Sequence, residues 1–489
     1  MLTKSDYIKY IQCKKYLWLN KIRPELLPED IGDNLKRAFE AGFEVEKIAY
    51  KLYPNGVDAN EEDIERSKSK TRKLIKEKTP VIFQATVSGV KLFCRSDIIR
   101  YNEEIDGWDL IEVKSATEVK DIYIDDVTFQ KICLEEAGVK VGRVLLIHVN
   151  NQYVKDGDIN PNEFFIEVDV SEEVRDKIEE TKIEIDNALE VLKIKEEPEI
   201  QVLRQCNNPY ECPFIPYCWK DFPAHSIYSI AGALGKKKLE ALLDEGILEV
   251  KDIPPEFLST GRLKKHHYVV ENNVVHIEKD NIKKEIESIE YPIYYLDYET
   301  FSPAIPIIDG YRPYQRVVFQ YSLHIQESPN SELKHFYFLA KDSKDPTREM
   351  AKTLQERIGK DGTVIAWNMG FEQGCNTEMG ERATEFKIFF EDVNNRMYDL
   401  MQIFKEGYYV HKEFHGSASL KKVLPVVVPE LDYNKLDISE GMTASNTWGD
   451  MVTKDMTQAE KDKIYNDLLA YCELDTLAMV KILEKLNSL

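Results

Sequence analysis

The hydrophobic pattern changes period several times along the chain, and each change marks an element. Amphipathic helical spacing at the N-terminus gives way to strand-like runs at VIFQATVSGVKLFCRSDIIRY and WDLIEVKSA. A helix is predicted next near DVTFQKICLEEAG, and a strand at VGRVLLIHVN. Between two of these runs the polar, glycine-containing NEEIDG predicts a hairpin turn. The stretch VSEEVRDKIEETKIEIDNALEVLKIKEEPE predicts a charged, solvated helix. From about Asp221 to Glu290 the patterns shorten, with LGKKKLEALLDEGI the clearest helix, then DIPPEFLSTG and the locally basic LKKHHY; this reads as a connector. A second α/β pattern starts with YPIYYLDYET at Tyr291, continues through YQRVVFQYSLHIQ, LKHFYFLA and GTVIAW, and ends in a long amphipathic helix from about Gln458. The expected fold class is therefore α/β, with domains at 1–220 and 291–489 joined by a helical connector at 221–290.

Composition narrows the class. A chain of 489 residues suits two or three domains. No apolar run is long enough to span a bilayer and the N-terminus lacks a signal-peptide h-region, so the expectation is a cytoplasmic protein with no membrane partner. Eight cysteines are too sparse for a disulfide scaffold, which makes metal or cluster binding the better explanation of grouped thiols. A net charge of -22 argues against a passive nucleic-acid coat. It does not exclude a nuclease, whose carboxylates are neutralised locally by divalent ions.

Strand alternation puts Glu112 and Lys114 on one face, with Ile111 and Val113 pointing into the core, and lets Asp97 meet Glu112 across the hairpin. Two carboxylates bind a hard divalent cation, and an adjacent lysine orients water or stabilises phosphate charge. The residues SDII, IEVKS and the following helix with Gln130 resemble the PD-(D/E)XK nucleases, specifically the RecB-like iron-sulfur branch that includes CRISPR-associated and AddB-type nucleases. The resemblance implies Asp97 and Glu112 as metal ligands, Lys114 as catalytic, and Gln130 as a substrate contact. Glu46 stands where the family often has a ligating histidine. Leu134 replaces the family's tyrosine.

Cys206, Cys212 and Cys218 are separated by five-residue gaps, which match neither the usual zinc knuckles nor ferredoxin spacing. By the same resemblance they join Cys13 in holding a [4Fe-4S] cluster. Cys94, Cys133, Cys375 and Cys472 fall within apolar patterns and read as small buried residues.

In the second pattern Asp297 and Glu299 leave one face of a strand, Tyr471 and Asp475 share a helix face, and VIAWNMGFEQG carries Asn368 and Glu372. This order resembles the DnaQ-like exonucleases of the RNase H-like superfamily, over roughly Tyr291 to Leu489. It implies that Asp297, Glu299, Glu372 and Asp475 hold two Mg²⁺ or Mn²⁺ ions, with Tyr471 orienting the attacking water and Asn368 near the substrate. Glutamate stands where the family has aspartate, so Asp399 is the second choice for that ligand. Lys421 and Lys422 in GSASLKKVLP read equally as a phosphate contact or a solvated helix start.

The expectation is a metal-dependent nuclease with two active sites, acting on nucleic acid, and more on DNA with single-stranded ends than on RNA. One alternative keeps a single working site and a scaffold domain; another is a non-catalytic iron-sulfur DNA-binding module.

Overall fold

The computed structural model describes residues 1–28, 33–201 and 204–489. The chain divides into two units: one of Met1–Asp221 with Pro303–Gln315, the other of Phe222–Ser302 with Arg316–Leu489. Both are mixed α/β, and among the described residues no helix is long and apolar enough to cross a membrane.

The first unit holds strands β1 (Leu2–Thr3), β2 (Val57–Asp58), β3 (Val81–Ser88), β4 (Leu92–Asn102), β5 (Gly107–Lys114), β6 (Val141–Val149) and β7 (Phe165–Asp169). They form one sheet in the order β2-β3-β4-β5-β6-β7, with β1 added alongside β4. The hairpin around NEEIDG forms as expected, with β4 antiparallel to β5 and Ile98 opposite Ile111. β6 runs parallel to β5 because the Asp121–Glu136 helix makes the crossover. Alternation then sorts the side chains. Ile111 and Val113 pack with Val45 and Ile48 of the Asp33–Tyr50 helix on one face, and Leu110 packs with Val127 and Phe129 of the crossover helix on the other. Segment Pro303–Gln315 joins this unit through Ala304, which enters the first of these apolar clusters, and through backbone hydrogen bonds between Lys155 and residues Gly310 and Tyr311.

In the second unit β8 (His276–Ile277) pairs at distance in sequence with a strand near residue 410. The main sheet contains β9 (Ile293–Phe301), β10 (Val317–Gln326), β11 (Lys334–Leu339), β12 (Thr363–Ala366) and β13 (Met397–Asp399), in the order β11-β10-β9-β12-β13; β14 (Tyr409–Val410) is the partner of β8. β10 is antiparallel to both neighbours, and β12 is parallel to β9 and β13. Leu296 and Tyr298 enter the cluster with Met350, Leu354 and Met379. The opposite face meets the C-terminal helix Gln458–Asn487, where Gln320 donates to the Leu468 carbonyl at 2.8 Å and Ser322 bonds Thr476 at 2.7 Å.

The basic LKKHHY lies inside the Gly261–Asn272 helix and turns His266 inward, buried with both ring nitrogens unpartnered among the described residues. Burial, then the nearby His225 and Arg262, pushes its pKa down to about 4. The neutral ring is thus favoured by folding, and its contribution is complete above the ordinary histidine pKa and lost as pH falls towards 4. Between pH 7 and pH 5 the stability of the wild type should therefore drop by roughly 1–2 kcal/mol more than that of His266→Leu, measured by denaturant melts. Equal drops would remove His266 as the cause.

Candidate metal centres

At the first unit's hairpin, Glu112 is 2% exposed and lies at the centre of a polar network. Its Oε1 accepts from Lys4 Nζ at 2.8 Å and from Lys114 Nζ at 2.8 Å, and its Oε2 accepts from Gln130 Nε2 at 2.8 Å. Lys114 also reaches Asp126 Oδ2 at 2.6 Å, and Gln130 bonds Asp126 Oδ1 at 2.9 Å. Asp97 Oδ2 accepts the Val113 N–H at 3.0 Å, which fixes it at the mouth of the same strand pair. Glu46 accepts from Tyr50 and Gln84; Gln84, on β3, has a left-handed φ of 51°.

The electrostatics follow from this crowding. Burial alone would raise the Glu112 pKa, but Lys114 and Lys4 outweigh it and hold the carboxylate well below its usual range. Asp97 goes the other way, pushed up by burial and by Glu112. Glu46 is likewise raised, by burial first, with its hydrogen bonds opposing and Glu112 adding to the rise. Three mutually repelling carboxylates at one place are what a divalent cation would relieve. Gln130, expected at the substrate, is instead fully buried beneath Glu112 and positions it. Leu134 is buried in the apolar cluster of the crossover helix, a place a tyrosine's hydroxyl would not suit without a partner.

Cys13, Cys206, Cys212 and Cys218 line one small cavity with Leu19 and Phe214. The Cys212 N–H donates to the Cys206 carbonyl at 2.7 Å, folding the first five-residue gap into a tight loop. Burial pushes the Cys212 thiol up to about 12, and the other three sulfurs add to it. Cys218 rises to about 11 for the same first reason, opposed by Lys15. Four cysteines on one cavity, with the Cys212 and Cys218 thiols resisting ionisation by themselves, fit a site completed by a cationic centre.

In the second unit β9 delivers Asp297 and Glu299 to the face covered by the C-terminal helix, which brings Tyr471, Cys472 and Asp475. Ligand atoms of Asp297, Glu299 and Cys472 lie within 4.8 Å of one another, and Cys472 Sγ is 3.4 Å from Asp297 Oδ2. Glu372 enters from the first turn of the Gly370–Arg382 helix, is 3% exposed, and has a buried Oε2 without a hydrogen-bond partner among the described residues. Burial raises its pKa to about 8, with Asp399 and Asp475 adding. Asp475 rises to about 6 through burial, although hydrogen bonds from Tyr433 and Tyr471 and the charge of Lys421 oppose the shift. Asp297 and Glu299 are raised further, by burial and then Asp475. Asp399 is otherwise engaged: its Oδ1 accepts the N–H groups of Asn368 at 3.0 Å and Met401 at 3.1 Å. Asn368 is exposed, with a left-handed φ of 70° that turns the chain from β12 into the helix.

Lys421 starts the Leu420–Val427 helix and also reaches the site, with Nζ 5.7 Å from the Tyr471 ring centre and 5.9 Å from that of Tyr433. Lys422 is exposed and makes no comparable approach. Reasoning from sequence missed Lys4, Asp126 and Tyr433. Asp126 carried a usable signal, four residues before Gln130 on the same helix face; the other two arrive from remote segments.

Residues 294–419 match a family model described as a domain of unknown function, DUF2779. The chain is 26% identical to an uncharacterized protein of Ureaplasma parvum, over 38% of this chain and 30% of the relative. It is likewise 26% identical to one of Mycoplasma genitalium, over 38% of this chain and 31% of that protein. The chain thus spans less than a third of the length of these relatives. No solved structure matches it.

Proposed function

We propose that the chain is a metal-dependent nuclease with two active sites: a RecB-like PD-(D/E)XK site in the first unit and a DnaQ-like, RNase H-type exonuclease site in the second. The observation that carries this reading is the buried, unpartnered Oε2 of Glu372 among Asp297, Glu299 and Asp475, a set of carboxylates that repel one another until a cation joins them. Two features of the fold support it: β5 and its crossover helix carry Glu112, Lys114 and Gln130 together, and β9, central in the second sheet, carries Asp297 and Glu299. Asp97, Glu112 and Glu46 would hold Mg²⁺ or Mn²⁺ in the first unit; Asp297, Glu299, Glu372 and Asp475 would do so in the second. Bound there, the ions supply Lewis-acid stabilisation of phosphoryl charge and a more acidic water. Lys4 and Lys114 keep Glu112 ionised, Tyr471 holds a phenolic proton beside Asp475, and Lys421 offers a cation to a phosphate. The substrate is DNA with single-stranded ends.

End-labelled single- and double-stranded DNA and RNA, offered with Mg²⁺ or Mn²⁺ to the wild type, Lys114→Ala, Asp297→Ala and the double variant, test this. Each single variant should keep one of two product patterns and the double variant neither. Loss through only one substitution would leave the other unit a scaffold, and no cleavage by any protein would reject the reading.

In the same reading, the four cysteines on one cavity would hold a [4Fe-4S] cluster, which would tie Cys13 to the 206–218 segment and so restrict the unfolded first unit. Anaerobically purified protein should contain iron and acid-labile sulfide in near-equal amounts, and Cys13→Ala should lose both. Zinc in place of iron, or unchanged iron in Cys13→Ala, would count against the cluster.

A further inference from the structure

We propose a separate site for a zinc-class divalent ion in the second unit, built from His324, His335 and Glu473. This goes beyond the nuclease reading and does not depend on it. His324 on β10 and His335 on β11 are directly opposite in the antiparallel ladder, so one face of the hairpin presents two imidazoles side by side. Their rings stack, with centres 4.4 Å apart and planes 22° from parallel, so one ring must turn for both to ligate one ion in their planes. Glu473 descends onto them from the C-terminal helix, with Oε1 3.6 Å from His335 Nδ1. One ligand atom from each of the three residues lies within 4.8 Å of the other two.

The second atoms of both rings are already used. His324 Nδ1 is 2.8 Å from Thr476 Oγ1 and His335 Nε2 is 2.9 Å from Ser322 Oγ, while Ser322 and Thr476 bond each other at 2.7 Å. Hydrogen bonds to the far nitrogen fix the tautomer of a metal-ligating histidine, and here a hydroxyl pair does this for two rings together. The assignment leaves His324 Nε2 and His335 Nδ1 as the atoms available for an ion. Two imidazoles and one carboxylate suit zinc, cobalt or nickel, whereas magnesium prefers oxygen alone. His324 is buried, but His335 is partly exposed and Glu473 exposed, so an ion can enter and a water can complete the coordination.

The placement suggests what the site does. Glu473 lies between Tyr471 and Asp475 on the same helix but faces the opposite strands, so an ion held by all three residues would fasten the helix to the β10–β11 hairpin. Tyr471 and Asp475 would then be positioned from behind.

Metal-free full-length protein, titrated with Co²⁺ and then Zn²⁺, tests the site alongside Glu473→Gln and His335→Gln. Wild type should show visible cobalt d–d bands from a nitrogen and oxygen site, distinct from the thiolate charge-transfer absorption that the cysteine cavity would give. Each variant should keep any thiolate absorption but bind at the second site at least about tenfold more weakly, the size that changes around a metal ligand commonly produce. Zn²⁺ should raise the thermal midpoint of the wild type more than that of either variant. Because Glu473 is exposed, its substitution keeps the test valid if His335→Gln fails to fold. Equal affinity and stoichiometry in wild type and Glu473→Gln would overturn the proposal.

Discussion

Asp297→Asn and Glu372→Gln should each lower hydrolysis at the second unit's site at least about a hundredfold, while Asp399→Asn costs less than about tenfold. The contrast comes from what each carboxylate already does. Asp297 sits among Glu299, Asp475 and Glu372 and has Cys472 as its hydrogen-bond neighbour. Glu372 keeps one oxygen buried with no donor, a state that costs on the order of 1–3 kcal/mol unless something positive completes it. Asp399 has its Oδ1 committed to two backbone N–H groups and holds the turn that follows β13. Glu372 therefore keeps an oxygen for an ion, whereas Asp399 spends one of its two on the backbone. Initial rates on 5′-labelled single-stranded DNA, with all variants built on Lys114→Ala to silence the other site, provide the comparison. If Asp399→Asn lost as much as Glu372→Gln, the third ligand would have been assigned to the wrong residue.

Much of this site was legible because strand and helix periods are local. A two-residue period sufficed to send Asp297 and Glu299 to one face of β9 and Leu296 and Tyr298 to the other, and the four-residue spacing of Tyr471 and Asp475 survives unchanged in the Gln458–Asn487 helix. The hairpin turn and the crossover helix of the first unit were equally readable. What could not be read were contacts closed over long loops. Lys4 meets Glu112 across 108 residues, and Tyr433 donates to Asp475 from a short turn with no pattern of its own. β8 and β14 are two residues each, too short for any periodicity, so the expected connector gave no sign that it pairs with the second unit. The excursion of Pro303–Gln315 into the first unit is invisible for the same reason, since a proline- and tyrosine-containing loop carries no signal of which apolar cluster it will join. The basic LKKHHY reads only as part of a connector; helical geometry turns Leu263 and His266, three residues apart, inward and leaves Lys264 and Tyr268 exposed.

Glu112→Gln should abolish hydrolysis at the first unit's site and also destabilise that unit by about 2 kcal/mol, although glutamine has nearly the same shape. The wild-type carboxylate compensates two ammonium groups at once, Lys4 and Lys114, both less than a quarter exposed. Removing its charge leaves Asp126 as their nearest carboxylate, 2.6 Å from Lys114 and 3.8 Å from Lys4, with Asp97 a weaker partner. The partial exposure of the two lysines is why the expected loss stays below that for a fully buried pair broken on one side. Lys4→Met separates the two effects: Glu112 keeps Lys114 as its partner, so stability should change by less than about 1 kcal/mol while the carboxylate holds its charge less firmly. The pH dependence has a fixed sign. Because Glu112 is held well below its usual pKa, its stabilisation is present above the unfolded value of roughly 4.3 and is lost as acid protonates it. The stability difference between wild type and Glu112→Gln should thus be flat from pH 6 to 8 and shrink below about pH 4, followed through the denaturant transition of the buried Trp18 and Trp108. A difference that persisted in acid would mean that glutamine disturbs packing rather than charge, and Glu112 would then be a structural residue of the hairpin and not the centre of a site.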